Sequence, residues 1–118
     1  SKDQEVLEDY LKMMSRFKDQ NLEFIKSNLD AQLKKDTLAY LVANKKLKGQ
    51  TKRKYLYTAN FALANKNSIV APYLALTEIY DAKVSLLDTI NMSLSKDVKN
   101  TKYGKALDSY IKEIKSSN

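Results

Sequence analysis

Glycine and proline are scarce in this chain, and that scarcity limits the folds open to it more than any other feature. Its 118 residues contain two glycines and one proline. Tight β-hairpins depend on glycine or asparagine in their turns, and all-β folds need many such turns. With 43% hydrophobic and 30% charged residues, the chain has the composition of a folded protein. We therefore predict a single all-α domain over residues 1–118, built as a helical bundle or hairpin.

The first third of the chain carries the clearest helical pattern. From Val6 to Leu29 the apolar residues recur at intervals of three and four, which places them on one face of a helix. The pattern continues to Leu47, and Gly49 is the first residue suited to a helix C-terminus. We predict a long helical arm over about residues 2–47, either one helix or two, in an antiparallel arm or hairpin.

The remainder, about residues 51–116, is predicted to form a compact region of four or five shorter helices. Each helix start is marked by a residue whose side chain can accept a backbone hydrogen bond. These N-caps are Thr51, Ser68, Asp81, Ser95 and Thr101. The helix after Ser68 is expected over about 69–80, with Pro72 in its first turn, where the missing N–H would have no partner.

The absence of histidine and cysteine removes most catalytic chemistry. Without them the chain has no thiol nucleophile, no imidazole base, no disulfide and no ordinary zinc or haem site. Glu5, Glu8 and Asp9 share one helix face, but acidic residues in a first turn are better explained by the helix dipole than by a metal. We predict no metal site and no cofactor.

Two serine-lysine pairs are candidate nucleophiles. Such a lysine must be desolvated to act as a base. The lysines of Ser15–Lys18 and Ser95–Lys96 lie beside solvent-facing residues, and capping is the better role for Ser95. We predict no catalytic residue, so the chain is not expected to be an enzyme.

The formal net charge of +7 is concentrated in one stretch. No acidic residue occurs between Asp36 and Glu78, and basic residues cluster around Gly49. The candidates for anion binding are Lys45, Lys46, Lys48, Lys52, Arg53 and Lys54. We expect a basic turn between helices, with Tyr55 and Tyr57 beside it. A solvated corner is the preferred interpretation, and binding to nucleic acid or another polyanion is the alternative. The basic stretch could also face acidic lipid headgroups, but no amphipathic segment has the aromatic-rich apolar face that would hold it there.

Three segments of the second half occur in a familiar order. They are Phe61–Ser68 (FALANKNS), Ala71–Leu74 (APYL) and Asn100–Leu107 (NTKYGKAL), with a short leucine-rich helix before the last. This order resembles the helical region of TlpA-like thiol-disulfide oxidoreductases of the AhpC/TSA type from Bacteroidetes. In that family the region lies between a small β domain and a thioredoxin domain, which supplies the Cys-x-x-Cys. The match covers about half of the chain, and the Cys-x-x-Cys is absent from it.

The resemblance implies a role rather than a chemistry. It suggests a non-catalytic helical scaffold that positions or dimerises the thioredoxin domain of a periplasmic or cell-envelope protein. The expected partners are other domains of the same protein, and a homodimer through the apolar residues from Val6 to Leu29 is a further expectation. A small helical protein-interaction domain is the other alternative.

Overall fold

Helices make up almost all of the chain in the computed structural model, which describes residues 1–117. The six helices are α1 (Lys2–Leu33), α2 (Thr37–Ala64), α3 (Val70–Thr77), α4 (Val84–Ser93), α5 (Lys96–Lys99) and α6 (Lys102–Ser116). No strand forms within these residues. The predicted all-α fold, with a long N-terminal helix followed by shorter ones, is confirmed.

Contacts between residues divide the chain into two compact units. The hairpin unit comprises residues 9–54, and the short-helix unit comprises residues 1–8 and the described residues from 55 onward. The boundaries lie inside α1 and α2, so each long helix contributes to both units.

In the hairpin unit, α1 and α2 are joined by a tight turn at residues 34–36. The Asp36 N–H donates to the carbonyl of Ala31 (2.9 Å), and the Lys35 N–H donates to the carbonyl of Gln32 (3.2 Å). This pair of bonds is the Schellman motif, which ends a helix with one residue in the left-handed conformation. That residue is Lys35, with φ of 56°.

The predicted helix boundary at Gly49 is wrong, and of the two alternatives for residues 2–47, one helix or two, the structure has two helices separated by the turn. The Asp36 carboxylate accepts from the Ala39 N–H (3.0 Å) and so caps α2. Gly49 lies inside α2, where a glycine costs only about 1 kcal/mol relative to alanine. Thr51 is not an N-cap either, because it also lies inside α2. The turn and the cap from Asp36 therefore determine where the helices end and begin, and Gly49 does not.

The apolar residues of α1 also differ from the single face that their spacing predicted. Tyr10, Met14 and Ala31 are buried, whereas Leu22 and Leu29 are about half exposed. The helix therefore carries two apolar rows, and only one of them is packed.

In the short-helix unit, α6 packs against α3, α4 and α5. The core combines small side chains on α2 and α3 with larger ones from the other helices. It comprises Ala59, Ala62, Ala71, Ala75, Ile79, Leu87, Ile90, Leu94, Val98, Leu107 and Ile111. Because alanine has no bulk beyond Cβ, the α2 and α3 backbones can lie close to this shared core.

Of the five predicted N-caps, Ser95 and Thr101 hold and Thr51 and Asp81 do not, while Ser68 bonds to the start of α3 from one residue before the N-cap position, which is Ile69. Ser95 accepts from the Val98 N–H to cap α5, and Thr101 accepts from the Gly104 N–H to cap α6. Ser68 accepts from the N–H of the first residue of α3, although that helix ends at Thr77 rather than near residue 80.

Asp81 does not cap α4. The N-cap position belongs to Lys83, whose side chain makes no capping bond. The Asp81 carboxylate instead accepts a hydrogen bond from the Tyr55 hydroxyl. Folding brings the Tyr55 hydroxyl to this carboxylate, and the sequence around Asp81 gives no sign of that contact.

Candidate functional site

The six residues predicted to bind anions all lie on α2. Lys45, Lys46, Lys48, Lys52 and Arg53 are exposed, and Lys54 is half-buried. The basic turn expected beside Tyr55 and Tyr57 is wrong, because α2 continues through Gly49 without a break. Helical periodicity, rather than a loop, therefore decides which of these charges face the same way.

Two rows of side chains follow α2 on opposite sides between residues 38 and 54. The inner row is buried or half-buried and consists of Tyr40, Ala43, Leu47, Gln50 and Lys54. The outer row is exposed and consists of Leu38, Leu41, Lys45, Lys48 and Lys52. Both rows advance by three and four residues, and their offset of two residues is about 200° around the helix. The outer row therefore points away from the packed side of α2.

The inner side of α2 faces α1. The Gln50 amide is 3% exposed and donates to the Gln20 side-chain carbonyl (2.8 Å). Arg53 Nε donates to the Gln50 carbonyl (2.9 Å), and the Lys46 ammonium lies 5.7 Å from the centroid of the Phe24 ring. The glutamine pair satisfies its polar atoms inside the hairpin, where an unpaired amide would be destabilising. Arg53 and Lys46 are thus held by neighbours within the unit.

The three lysines of the outer row have no such neighbours. No carboxylate among residues 1–117 forms an ion pair with Lys45, Lys48 or Lys52. They recur at intervals of three and four residues on a helix that contains no acidic residue. Like charges at this spacing repel each other. Their charge is available to an anion outside the chain.

Charge is divided unequally between the two units. The hairpin unit has twelve lysines and arginines and five acidic residues, a formal charge of +7. The remainder of the chain has nine of each and is neutral. The whole net charge of the protein therefore belongs to residues 9–54.

Aliphatic side chains are exposed at the turn end of the same hairpin. Leu33 and Leu38, on either side of the turn, are 85% and 74% exposed. Leu29, Leu41 and Val42 are each about half exposed. Single exposed leucines are ordinary, but five exposed aliphatic side chains within residues 29–42 are a concentration that packing inside the hairpin does not cover. The sequence did not reveal this group, because its spacing is that of packed residues.

The short-helix unit pairs some of its charges internally. The Lys115 ammonium lies 2.7 Å from the Asp88 carboxylate, and the Lys112 ammonium lies 2.8 Å from the Asp108 carboxylate. The hydrogen bond from Lys112, with a second from Asn91, lowers the pKa of Asp108. These pairs contrast with the unpaired lysines of the hairpin.

Ser95 has a structural role, since its hydroxyl oxygen accepts the Val98 N–H that begins α5. Capping was its predicted role. Within residues 1–117 there is no group of three acidic side chains placed to hold a metal ion. The same part of the chain has no helix that is long and apolar enough to cross a membrane.

Comparison of the chain with protein-family models, with curated proteins and with solved structures gives no match.

Proposed function

We propose that this chain is a non-catalytic helical scaffold module of a thiol-disulfide oxidoreductase of the cell envelope, in which it positions a thioredoxin domain. The parent and its location rest on the resemblance of residues 61–74 and 100–107 to the helical region of TlpA-like proteins. The structural role rests on what the residues of the last of these segments do in the fold.

The proposal rests on the Thr-Lys-Tyr-Gly segment, residues 101–104, whose side chains cap and pack helices within the fold. The Thr101 hydroxyl caps α6, and the Tyr103 ring packs edge-on against Tyr73 with centroids 5.2 Å apart. A Cβ on Gly104 would lie 2.1 Å from the carbonyl oxygen of Val98, so only glycine lets α6 approach α5 this closely. These contacts fix α5 against α6, as a rigid spacer requires.

The gene that encodes the chain tests the parent. We expect its reading frame to encode a Cys-x-x-Cys within a thioredoxin domain after Asn118. A frame without that domain would refute the assignment to an oxidoreductase. In the full-length protein, Gly104→Ala should slow reduction of a partner disulfide by mispositioning the domain, while the Cys-x-x-Cys keeps its reactivity towards a small thiol. Equal loss in both assays would mean that the module does more than position.

Homodimerisation through the exposed row of α1 remains a separate prediction. Leu22, Ile25 and Leu29 lie three and four residues apart and are each about half exposed. Sedimentation equilibrium should give a dimer in which Ile25→Gln weakens association. A monomer at high concentration would remove dimerisation and leave the scaffold role standing.

A further inference from the structure

The outer row of α2 joins two features that do not help the hairpin unit to fold. Leu38 and Leu41, near the turn, are 74% and 56% exposed, and Lys45, Lys48 and Lys52 continue the same face without ion pairs. Exposed leucines gain nothing from water, and closely spaced lysines repel. Both features become favourable against a partner that is apolar where it meets the leucines and anionic where it meets the lysines.

From this arrangement we infer that the turn end of the hairpin docks on an anionic phospholipid bilayer. Leu38 and Leu41 enter the boundary between headgroups and acyl chains, Lys45 reaches the lipid phosphates, and Lys48 and Lys52 lie further out in the negative potential of the surface. The inference goes beyond the scaffold role and does not depend on which domains the parent contains.

The dimensions of the row suit this docking. With a rise of about 1.5 Å per residue, Lys45 lies roughly 10 Å along the helix from Leu38, and Lys52 about 20 Å. Interfacial helices bury their apolar face about 5–10 Å into the boundary region, and lysine stems extend towards the phosphates. Leu33, 85% exposed on the other side of the turn, adds to the inserted end.

Charge argues for lipid over a second copy of the chain. The hairpin unit carries the whole formal charge of +7. A twofold contact through the outer row would place the same lysines of both copies at one interface, because the two surfaces of such a contact are identical. An anionic bilayer removes that repulsion, and each lysine near such a surface strengthens binding about fivefold.

The leucines argue for lipid over nucleic acid. A phosphate backbone would interact with the three lysines, but Leu38 and Leu41 on the same face would have no apolar partner in it.

Co-sedimentation of the 118-residue chain with vesicles tests the inference. We expect binding to vesicles of two parts phosphatidylcholine and one part phosphatidylglycerol, and little binding to phosphatidylcholine alone. Replacing Lys45, Lys48 and Lys52 by glutamine should weaken binding at least about tenfold, most of it from Lys45. Leu38→Gln with Leu41→Gln should weaken it at least about tenfold, and glutamine forms helix nearly as well as leucine, so the hairpin should persist.

A matched control removes the same charge from the neutral unit. Lys83, Lys96 and Lys105 are exposed there, and their replacement by glutamine should change vesicle binding less than about threefold. Three results would each overturn the inference. They are equal binding to both vesicle types, an equal loss in the control variant, and binding to a duplex oligonucleotide that competes with vesicles and does not depend on Leu38 and Leu41. Far-UV circular dichroism of each variant shows whether its helices are retained.

Discussion

The two glycines of the chain make a matched pair of perturbations with opposite expected effects. Both lie inside helices, Gly49 in α2 and Gly104 in α6. Alanine in place of a helical glycine stabilises by about 1 kcal/mol when its methyl group has space. The two positions differ only in what that methyl group would meet.

At Gly104 the methyl group has no space. Its Cβ would lie 2.1 Å from the carbonyl oxygen of Val98 and 2.8 Å from Cα of Lys99. A carbon-oxygen contact normally falls at about 3.3–3.6 Å, so α5 would have to retreat by roughly 1 Å or more. That movement exposes part of Val98, which is 3% exposed, and adds overpacking strain. Strain of about 1–3 kcal/mol and lost burial of about 1–2 kcal/mol exceed the helix gain, for a net loss of about 2–4 kcal/mol.

At Gly49 the same methyl group meets only the guanidinium of Arg53, with its nearest atom 3.5 Å away, an ordinary contact with a flexible side chain. Gly49→Ala should therefore stabilise the protein by about 0.5–1 kcal/mol. Urea unfolding followed by far-UV circular dichroism measures both variants. Gly104→Ala within about 0.5 kcal/mol of the unmodified protein, or a shift of both variants in the same direction, would refute the reasoning.

Three further predictions concern single contacts. Lys35→Gly should stabilise the hairpin by about 0.5–1 kcal/mol in urea unfolding, because the left-handed conformation is strained for lysine and free for glycine, whereas Lys34→Gly should not stabilise it. The hydrogen bond to Asp81 raises the pKa of Tyr55 from 10.0 to about 12, so its stabilisation is complete below pH 10 and is lost as pH rises towards 12. In a pH titration of tyrosinate absorbance, the difference between the protein and the Tyr55→Phe variant should have its midpoint near pH 12. Asp81→Asn should lower that midpoint. A midpoint near 10 in the unmodified protein would contradict the hydrogen bond between Tyr55 and Asp81. Thr101→Ala should cost about 1 kcal/mol and Thr101→Ser little, and equal midpoints in thermal unfolding would exclude capping as the role of Thr101.

The sequence predicted the helices and caps whose signals are local. Ser95 and Thr101 lie directly before short helices, and their hydroxyls bond three residues ahead, so no distant contact is needed to identify them. Asp81 gives the same local signal, but folding brings the Tyr55 hydroxyl to its carboxylate. A cap is predictable only where no tertiary partner competes for it.

The hairpin turn shows a second limit. Gly49 is the residue type that most often ends a helix, yet α2 continues through it, and Lys35 takes the left-handed position instead. The cost of lysine there, about 1–2 kcal/mol, is small beside the packing of two helices, and the cap from Asp36 offsets part of it. Amino-acid preferences predict the position of a turn only where tertiary contacts do not determine it.

The exposed leucines show why the solvent-facing row of a helix cannot be identified from residue spacing. Spacing of three and four residues identifies the sides of a helix but not which side is packed. On α2 the row from Tyr40 to Gln50 is packed, and the row from Leu38 to Lys52 faces solvent. The predicted obstacle to lipid binding, the lack of an aromatic-rich apolar face, stays a prediction, and the apolar side chains exposed at the turn are aliphatic.

The two units differ both in their net charge and in how many apolar side chains they bury. The short-helix unit is neutral and contains most of the buried apolar side chains, so its stability does not require an external partner. The hairpin unit has few large buried side chains, Tyr10 and Met14 among them, and carries all of the net charge. An anion that binds the folded hairpin must stabilise it by mass action. Anionic vesicles should therefore raise the midpoint of thermal unfolding, and replacing Lys45, Lys48 and Lys52 by glutamine should remove most of that shift; an unchanged shift in this variant would mean that the lipid does not act through the outer row.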